Sequence, residues 1–162
     1  MTPAIDFLDK HKASYIVHRY QHQTNVSSYG KEAADALPIE SARIFKTIIV
    51  EKQANKSASK QFAVVLVPVS AMVNLKAVAT ILDCKKITMA DANDVSRTTA
   101  YQLGGVSPFG QKTKLPTIVD KSAIRHASIY VSAGKRGLEI EIAPQLLSEL
   151  CSAQFALVAR VD

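Results

Sequence analysis

The chain has 162 residues, of which 48% are hydrophobic and 21% charged, and its formal net charge is +6. This length suits one domain, and the composition excludes a disordered chain. Two cysteines far apart, without a CxxC pair or zinc-ligand spacing, predict neither a disulfide framework nor a metal centre. The longest strongly apolar run, 62–69, is too short to cross a bilayer, so we expect no membrane partner and a cytoplasmic location.

The N-terminal region predicts a short helix followed by a strand. Thr2 before Pro3 places a capping residue ahead of a proline in the first helical turn, and Ile5 and Leu8 supply an apolar face. Residues 15–20 then alternate in a pattern that predicts a strand with mixed faces.

Two runs rich in β-branched residues predict the middle of a sheet. Residues 44–50 and 62–69 read as neighbouring strands, and the second is apolar almost throughout, as a central strand is. The polar, lysine-rich segment 51–61 between them predicts an exposed hairpin loop.

The remaining patterns predict alternating helices and strands, and therefore a mixed sheet in a single α/β or α+β domain, with the strand order left open. Asn74 is the expected cap of the predicted helix 75–82. The predicted helices are 31–37, 75–82, 91–101, 122–126 and one opening at Pro144, and the predicted strands are 116–119, 129–132, 138–142 and 155–161.

Three segments carry the candidate functional residues. The loop 104–112 (GGVSPFGQK) contains three glycines and a proline, a composition that leaves backbone N–H groups free to face a ligand. Lys46 lies inside an apolar strand, and residues 132–137 (SAGKRG) form a second glycine-rich basic turn. Together they predict a site for a small, polar, anionic ligand.

Each of these segments also has an ordinary structural interpretation. The glycine loop can be a tight connection, Lys46 can extend its ammonium group to solvent, and Ser132 can bond to nearby backbone as a turn former. No P-loop or complete Rossmann fingerprint is present, and the histidines match no hydrolase motif. The strongest groups are therefore N–H donors and a cation, which stabilise developing negative charge rather than attack.

These residues resemble a known family. The motifs at 45–47 (FKT), 89–91 (MAD), 104–112 and 131–141 (VSAGKRGLEIE) are similar to those of the YbaK family of Cys-tRNA(Pro) deacylases, and the resemblance runs from Met1 to Arg160. It implies one editing domain over 1–162, with a curved mixed β-sheet flanked by helices, related to the editing domain of bacterial prolyl-tRNA synthetases. The implied activity is removal of cysteine from Cys-tRNA(Pro).

The resemblance also implies roles for individual residues. Lys46 would contact the terminal adenosine or its phosphate, backbone N–H groups at Gly104 and Gly105 would stabilise an oxyanion, and Tyr20 and Ser132 would line the aminoacyl pocket. The thiol of the attached cysteine would attack its own ester, so no cofactor and no metal are expected. Two positions depart from close relatives: Ala133 replaces a glycine, and Glu139, also assigned to substrate binding, replaces an aspartate.

The expected partners follow from the same resemblance. A mischarged tRNA would present its 3′ aminoacyl end, the basic surface would steer it, and a prolyl-tRNA synthetase is a candidate partner. Two alternatives stay open: a deacylase for another small residue, such as that on Ala-tRNA(Pro), and a non-catalytic module that binds tRNA or a synthetase.

Overall fold

The computed structural model describes residues 1–20, 40–53 and 59–161. The predicted helix 31–37 and the middle of the predicted hairpin loop lie outside these residues. The described residues form helices and a mixed set of strands, which confirms the predicted α+β class. The helices are α1 (Pro3–Lys10), α2 (Leu75–Ile81), α3 (Ala92–Thr99) and α4 (Pro144–Cys151), with short 3-10 helices at Ser41–Arg43 and Lys121–Arg125.

The strands divide among three sheets. The five-stranded sheet contains β2 (Phe45–Lys52), β3 (Gln61–Pro68), β5 (Ile87–Met89), β6 (Thr117–Asp120) and β9 (Gln154–Ala156). A three-stranded sheet contains β1 (Ile16–Arg19), β7 (Ile129–Ser132) and β8 (Leu138–Ile142), and a two-stranded sheet contains β4 (Met72–Val73) and β10 (Ala159–Arg160).

The large sheet has the order β5-β2-β3-β6-β9, with β3 at its centre. β3 pairs antiparallel with β2 and parallel with β6, and every residue of β3 after Gln61 is buried. Apolar clusters cover both faces of this sheet, one containing Leu66 and Phe109 and the other containing Val65 and Val78 of α2. The prediction that the runs 44–50 and 62–69 form neighbouring central strands is confirmed.

The small sheet brings distant segments to the start of β2. β8 lies between β1 and β7 with antiparallel pairing on both sides, which sets Glu139 opposite both His18 and Ser132. A parallel bridge between Ile44 and Tyr130 then joins β7 to the residue that precedes β2. The ends of β1 and β7 therefore lie near Lys46.

The predicted helix starts are confirmed by their caps. The side chains of Thr2, Asn74 and Asp91 each accept a hydrogen bond from a backbone N–H of the first helical turn. The end of α3 differs from the prediction, which extended the helix to 101. Ala100 adopts a left-handed conformation at φ 67°, which ends the helix and turns Tyr101 into the core.

The prediction of one strand over 155–161 is wrong, because the segment divides into β9 and β10, which belong to different sheets. The buried carboxylate of Asp120 accepts hydrogen bonds from the N–H groups of Val158 and Ala159 at 3.0 and 2.9 Å. The Asp120 side chain, on β6, thus binds the two N–H groups at the point where β9 has ended and β10 begins.

Gly110 permits close contact between the glycine loop and α1. It has a φ of +66°, and an added Cβ would lie 2.5 Å from the carbonyl oxygen of Pro3. We therefore expect Gly110→Ala to lower the free energy of unfolding, measured in urea, by about 2–3 kcal/mol.

Gly105→Ala is the matched control. A Cβ at Gly105 would make ordinary contacts, the nearest at 3.4 Å. We expect this variant to unfold within about 0.5 kcal/mol of the wild type. Equal losses for the two variants would contradict the proposed backbone clash.

Candidate active site

A cavity of about 340 Å³ lies between the start of β2, the ends of the small sheet and the glycine loop. Five of the six predicted site residues line it, and the sixth, Gly105, does not. The lining residues are Tyr20, Ile44, Phe45, Lys46, Thr47, Ile48, Leu103, Gly104, Val106, Ser132, Lys135, Arg136 and Glu139.

Lys46 is the half-buried cation of this cavity. It lies near the start of β2, opposite Val67 of β3. Burial lowers the pKa of its ammonium group, and within the described part of the chain it forms no ion pair. An ammonium group that is partly stripped of water and lacks a carboxylate partner is suited to an anionic ligand.

Glu139 is the buried acid of the cavity, with 6% of its surface exposed. Burial raises the pKa of its carboxyl group to about 8, so the neutral form predominates at pH 7. The carboxyl pKa of Glu141, two residues along β8, is shifted in the opposite direction. Hydrogen bonds from Ser128 and His18 lower the pKa of Glu141.

Positive charge therefore dominates the cavity at neutral pH. Lys46, Lys135 and Arg136 line it, whereas Glu139, the one acidic residue in the described lining, is largely protonated. Such a wall attracts a phosphate group or an oxyanion.

The described part of the cavity wall contains no activated nucleophile. The Oγ of Ser132 accepts a hydrogen bond from the N–H of Gly134 at 3.1 Å, as the turn-former interpretation predicts. Neither histidine nor cysteine occurs among the lining residues that the structure describes. His18, near Glu139 in the sheet register, instead places its Nε2 2.9 Å from the Glu141 carboxylate. A serine without a base to take its proton is a weak nucleophile.

The two glycines of the loop differ in position. Gly104, at φ +95°, lines the active-site cavity, and its N–H has no acceptor among the residues that the structure describes. The N–H of Gly105 donates to the carbonyl of Gln102 at 2.9 Å and closes a turn. The expected oxyanion donor at Gly105 is therefore already occupied, because a tight turn uses that N–H internally.

Thr47 is a lining residue that the sequence analysis did not select. Its Oγ1 is buried and has no hydrogen-bond partner in the described structure. Its position beside Lys46 in the motif at 45–47 could have pointed to it as a site residue. The alternation of a strand argues against that choice, because neighbouring side chains are expected on opposite faces of the sheet.

Within residues 1–20, 40–53 and 59–161, no three acidic, histidine or cysteine side chains form a group that could hold a metal ion. No helix in the same ranges has the length and apolar character to span a bilayer. Cys84 and Cys151 are free, and burial raises the pKa of the Cys151 thiol to about 12.

The described residues thus form a mixed α+β domain with a cavity lined by cations. The family model of the aminoacyl-tRNA editing domain matches residues 23–150, and the chain belongs to that family.

Known proteins resemble the chain over almost its whole length. "Putative Cys-tRNA(Pro)/Cys-tRNA(Cys) deacylase EbsC" of Enterococcus faecalis is 35% identical over 155 residues, covering 96% of this chain and 91% of the relative. Two solved structures share the fold. The "hypothetical protein APE2540" has a TM-score of 0.85 at 23% identity, covering 98% of this chain and 100% of its own. A "putative trans-editing enzyme for prolyl tRNA synthetase" has a TM-score of 0.82 at 21% identity, covering 98% and 95%.

Proposed function

We propose that the chain, 1–162, is one trans-editing domain that removes cysteine from Cys-tRNA(Pro). The observation that carries the proposal is the composition of the cavity, whose described lining combines Lys46, Gly104 and Glu139 and holds no activated nucleophile. Such a site cannot readily attack an ester itself, but it can hold one and stabilise the charge that develops on it. The name of the Enterococcus faecalis relative supports the same substrate.

In the proposed reaction, the sulfur of the attached cysteine attacks the carbonyl carbon of its own ester. A carbon–sulfur bond forms, the ester carbon–oxygen bond breaks, and the thiol proton ends on the 3′-terminal hydroxyl of the released tRNA. The second product is a cyclic thioester of cysteine. The protein bends the aminoacyl group toward cyclisation and stabilises the oxyanion of the intermediate.

The lining residues have different roles in the proposed reaction. Lys46 contacts the terminal adenosine or its phosphate and aligns the ester, and the Gly104 N–H donates to the oxyanion. Tyr20 and Ser132 line the space for the aminoacyl group. Glu139, neutral at pH 7, donates a hydrogen bond to the substrate instead of cancelling the positive charge of the wall.

The proposed partner is a mischarged tRNA, and a prolyl-tRNA synthetase is the proposed source of tRNA selectivity. The net charge of +6 supports this assignment, since a basic protein is steered toward phosphates. Cysteine and proline are close in size, and a hydrophobic pocket separates such a pair by only about 1–3 kcal/mol, so a separate editing step is needed. We place the protein in the cytoplasm, where tRNAs are charged.

Deacylation of three substrates tests the function: Cys-tRNA(Pro), Ala-tRNA(Pro) and a serine-charged tRNA. Because only cysteine carries a thiol, we expect its release to be at least about 10²-fold faster than that of alanine or serine. Release of the radiolabelled amino acid measures all three rates. Equal release of alanine would establish the alternative deacylase. Salt-dependent binding without ester loss would establish a non-catalytic module.

A further inference from the structure

A second cavity lies directly beside the active-site cavity. It is bounded by Pro3 and by residues 100–105 and 134–136, and its volume is about 330 Å³. This volume is at the lower end of the range for small-ligand sites, about 300–1,000 Å³. The residues that border both cavities are Leu103, Gly104, Lys135 and Arg136.

The shared wall has the chemistry that binds single-stranded nucleic acid. Lys135 and Arg136 supply positive charge on both sides of it. Leu103 is 62% exposed and presents an apolar side chain at the same place. Proteins bind unpaired nucleotides by combining cations for the phosphates with aromatic or apolar side chains on which the bases pack.

The wall is built by close packing of the two glycine segments. Gly105 lies against the backbone of 135–136, where an added Cβ would make an ordinary contact 3.4 Å from Arg136 N. Gly134 packs so tightly on the Tyr101 ring that a Cβ would lie 2.5 Å from it. The Tyr101 hydroxyl donates to the Phe109 carbonyl at 2.5 Å, which fixes the ring. These contacts fix the walls of the second cavity within the fold.

We propose that the second cavity binds the nucleotide that precedes the terminal adenosine of the tRNA. Its phosphate contacts Lys135 and Arg136, and its base packs on Leu103. This inference rests on the proposed function, because the terminal nucleotide must occupy the active-site cavity for its neighbour to reach across the shared wall.

Gln102 provides the test, because it is exposed and borders the second cavity but not the first. The Oε1 of Gln102 accepts a hydrogen bond from the Ser96 hydroxyl at 3.4 Å, so Gln102→Glu places a negative charge at the border of the second cavity, where it repels the proposed phosphate. We expect KM for Cys-tRNA(Pro) to rise about fivefold at unchanged kcat. Deacylation of 3′-cysteinyl-adenosine, which lacks the preceding nucleotide, should not change.

Gln145→Glu is the matched control. Gln145 is exposed on α4, and this variant introduces the same charge away from both cavities. An equal rise in KM for both variants would overturn the proposal, because it would show a general effect of net charge. An equal rise for tRNA and 3′-cysteinyl-adenosine would also overturn it.

A binding measurement separates this inference from the proposed function. The uncharged trinucleotide CCA is titrated against each protein and followed by NMR, which requires no turnover. We expect Gln102→Glu to weaken CCA binding about fivefold and Gln145→Glu to leave it unchanged. If CCA binding responds to the two variants as expected but the wild type releases no amino acid, the proposed function fails and the subsite stands. If Gln102→Glu binds CCA like the wild type, the subsite fails.

Discussion

Replacement of Lys46 by alanine should lower kcat/KM for deacylation of Cys-tRNA(Pro) by about 10²- to 10³-fold, the usual effect of losing a group that stabilises or aligns the transition state. Lys46 is the half-buried cation of the cavity, and it has no ion pair among the described residues. Its removal breaks no salt bridge and relieves the burial of a charge. The fold should therefore survive, and the thermal midpoint should stay within a few degrees of the wild type.

Lys52→Ala is the control for this variant. Lys52 lies at the other end of the same strand, six residues from Lys46 or about 20 Å along an extended chain, and it does not line the cavity. Single-turnover rates on Cys-tRNA(Pro) should be unchanged for Lys52→Ala. A Lys46→Ala protein that releases cysteine at the wild-type rate would show that the active site has been assigned to the wrong cavity.

Glu139→Gln should change how the stability of the protein depends on pH. The carboxyl pKa of Glu139 is raised from 4.5 to about 8 by burial, so the folded state binds a proton that the unfolded state releases. The wild type therefore loses stability as the pH rises from about 4.5 to 8, by up to about 1.4 kcal/mol per pH unit. Glutamine cannot titrate, so the variant lacks this loss and becomes more stable relative to the wild type as the pH rises.

Urea denaturation at about pH 5, 7 and 9 measures this difference. Glu141→Gln is the control, and its stability difference from the wild type should not vary over this range, because the Glu141 pKa is lowered and its contribution is lost only as the pH falls below the unfolded value of 4.5. At pH 7, Glu139→Gln should retain deacylation within a few-fold, since an amide is also neutral and donates a hydrogen bond. A stability difference that does not vary with pH would mean that Glu139 is charged in the folded protein.

Local patterns account for most of the elements. The caps at Thr2, Asn74 and Asp91 work within one helical turn, so residue type and spacing are enough to predict them. The strands Ile129–Ser132 and Leu138–Ile142 have their predicted bounds, because each is short and ends in turn residues. The motifs also selected five residues that line one cavity. Their chemical roles rest on the proposed function.

Long-range contacts determine the features that local sequence patterns do not predict. The final strand divides because Asp120, almost forty residues earlier, takes two of its N–H groups. The Gly105 amide is bound to Gln102, which glycine content alone does not reveal. Glu139 belongs to an alternating strand, but its burial in the same cavity as Lys46 depends on where the small sheet meets β2. Periodicity specifies which face a residue takes within its own element, whereas solvent access and hydrogen-bond partners depend on which elements pack together.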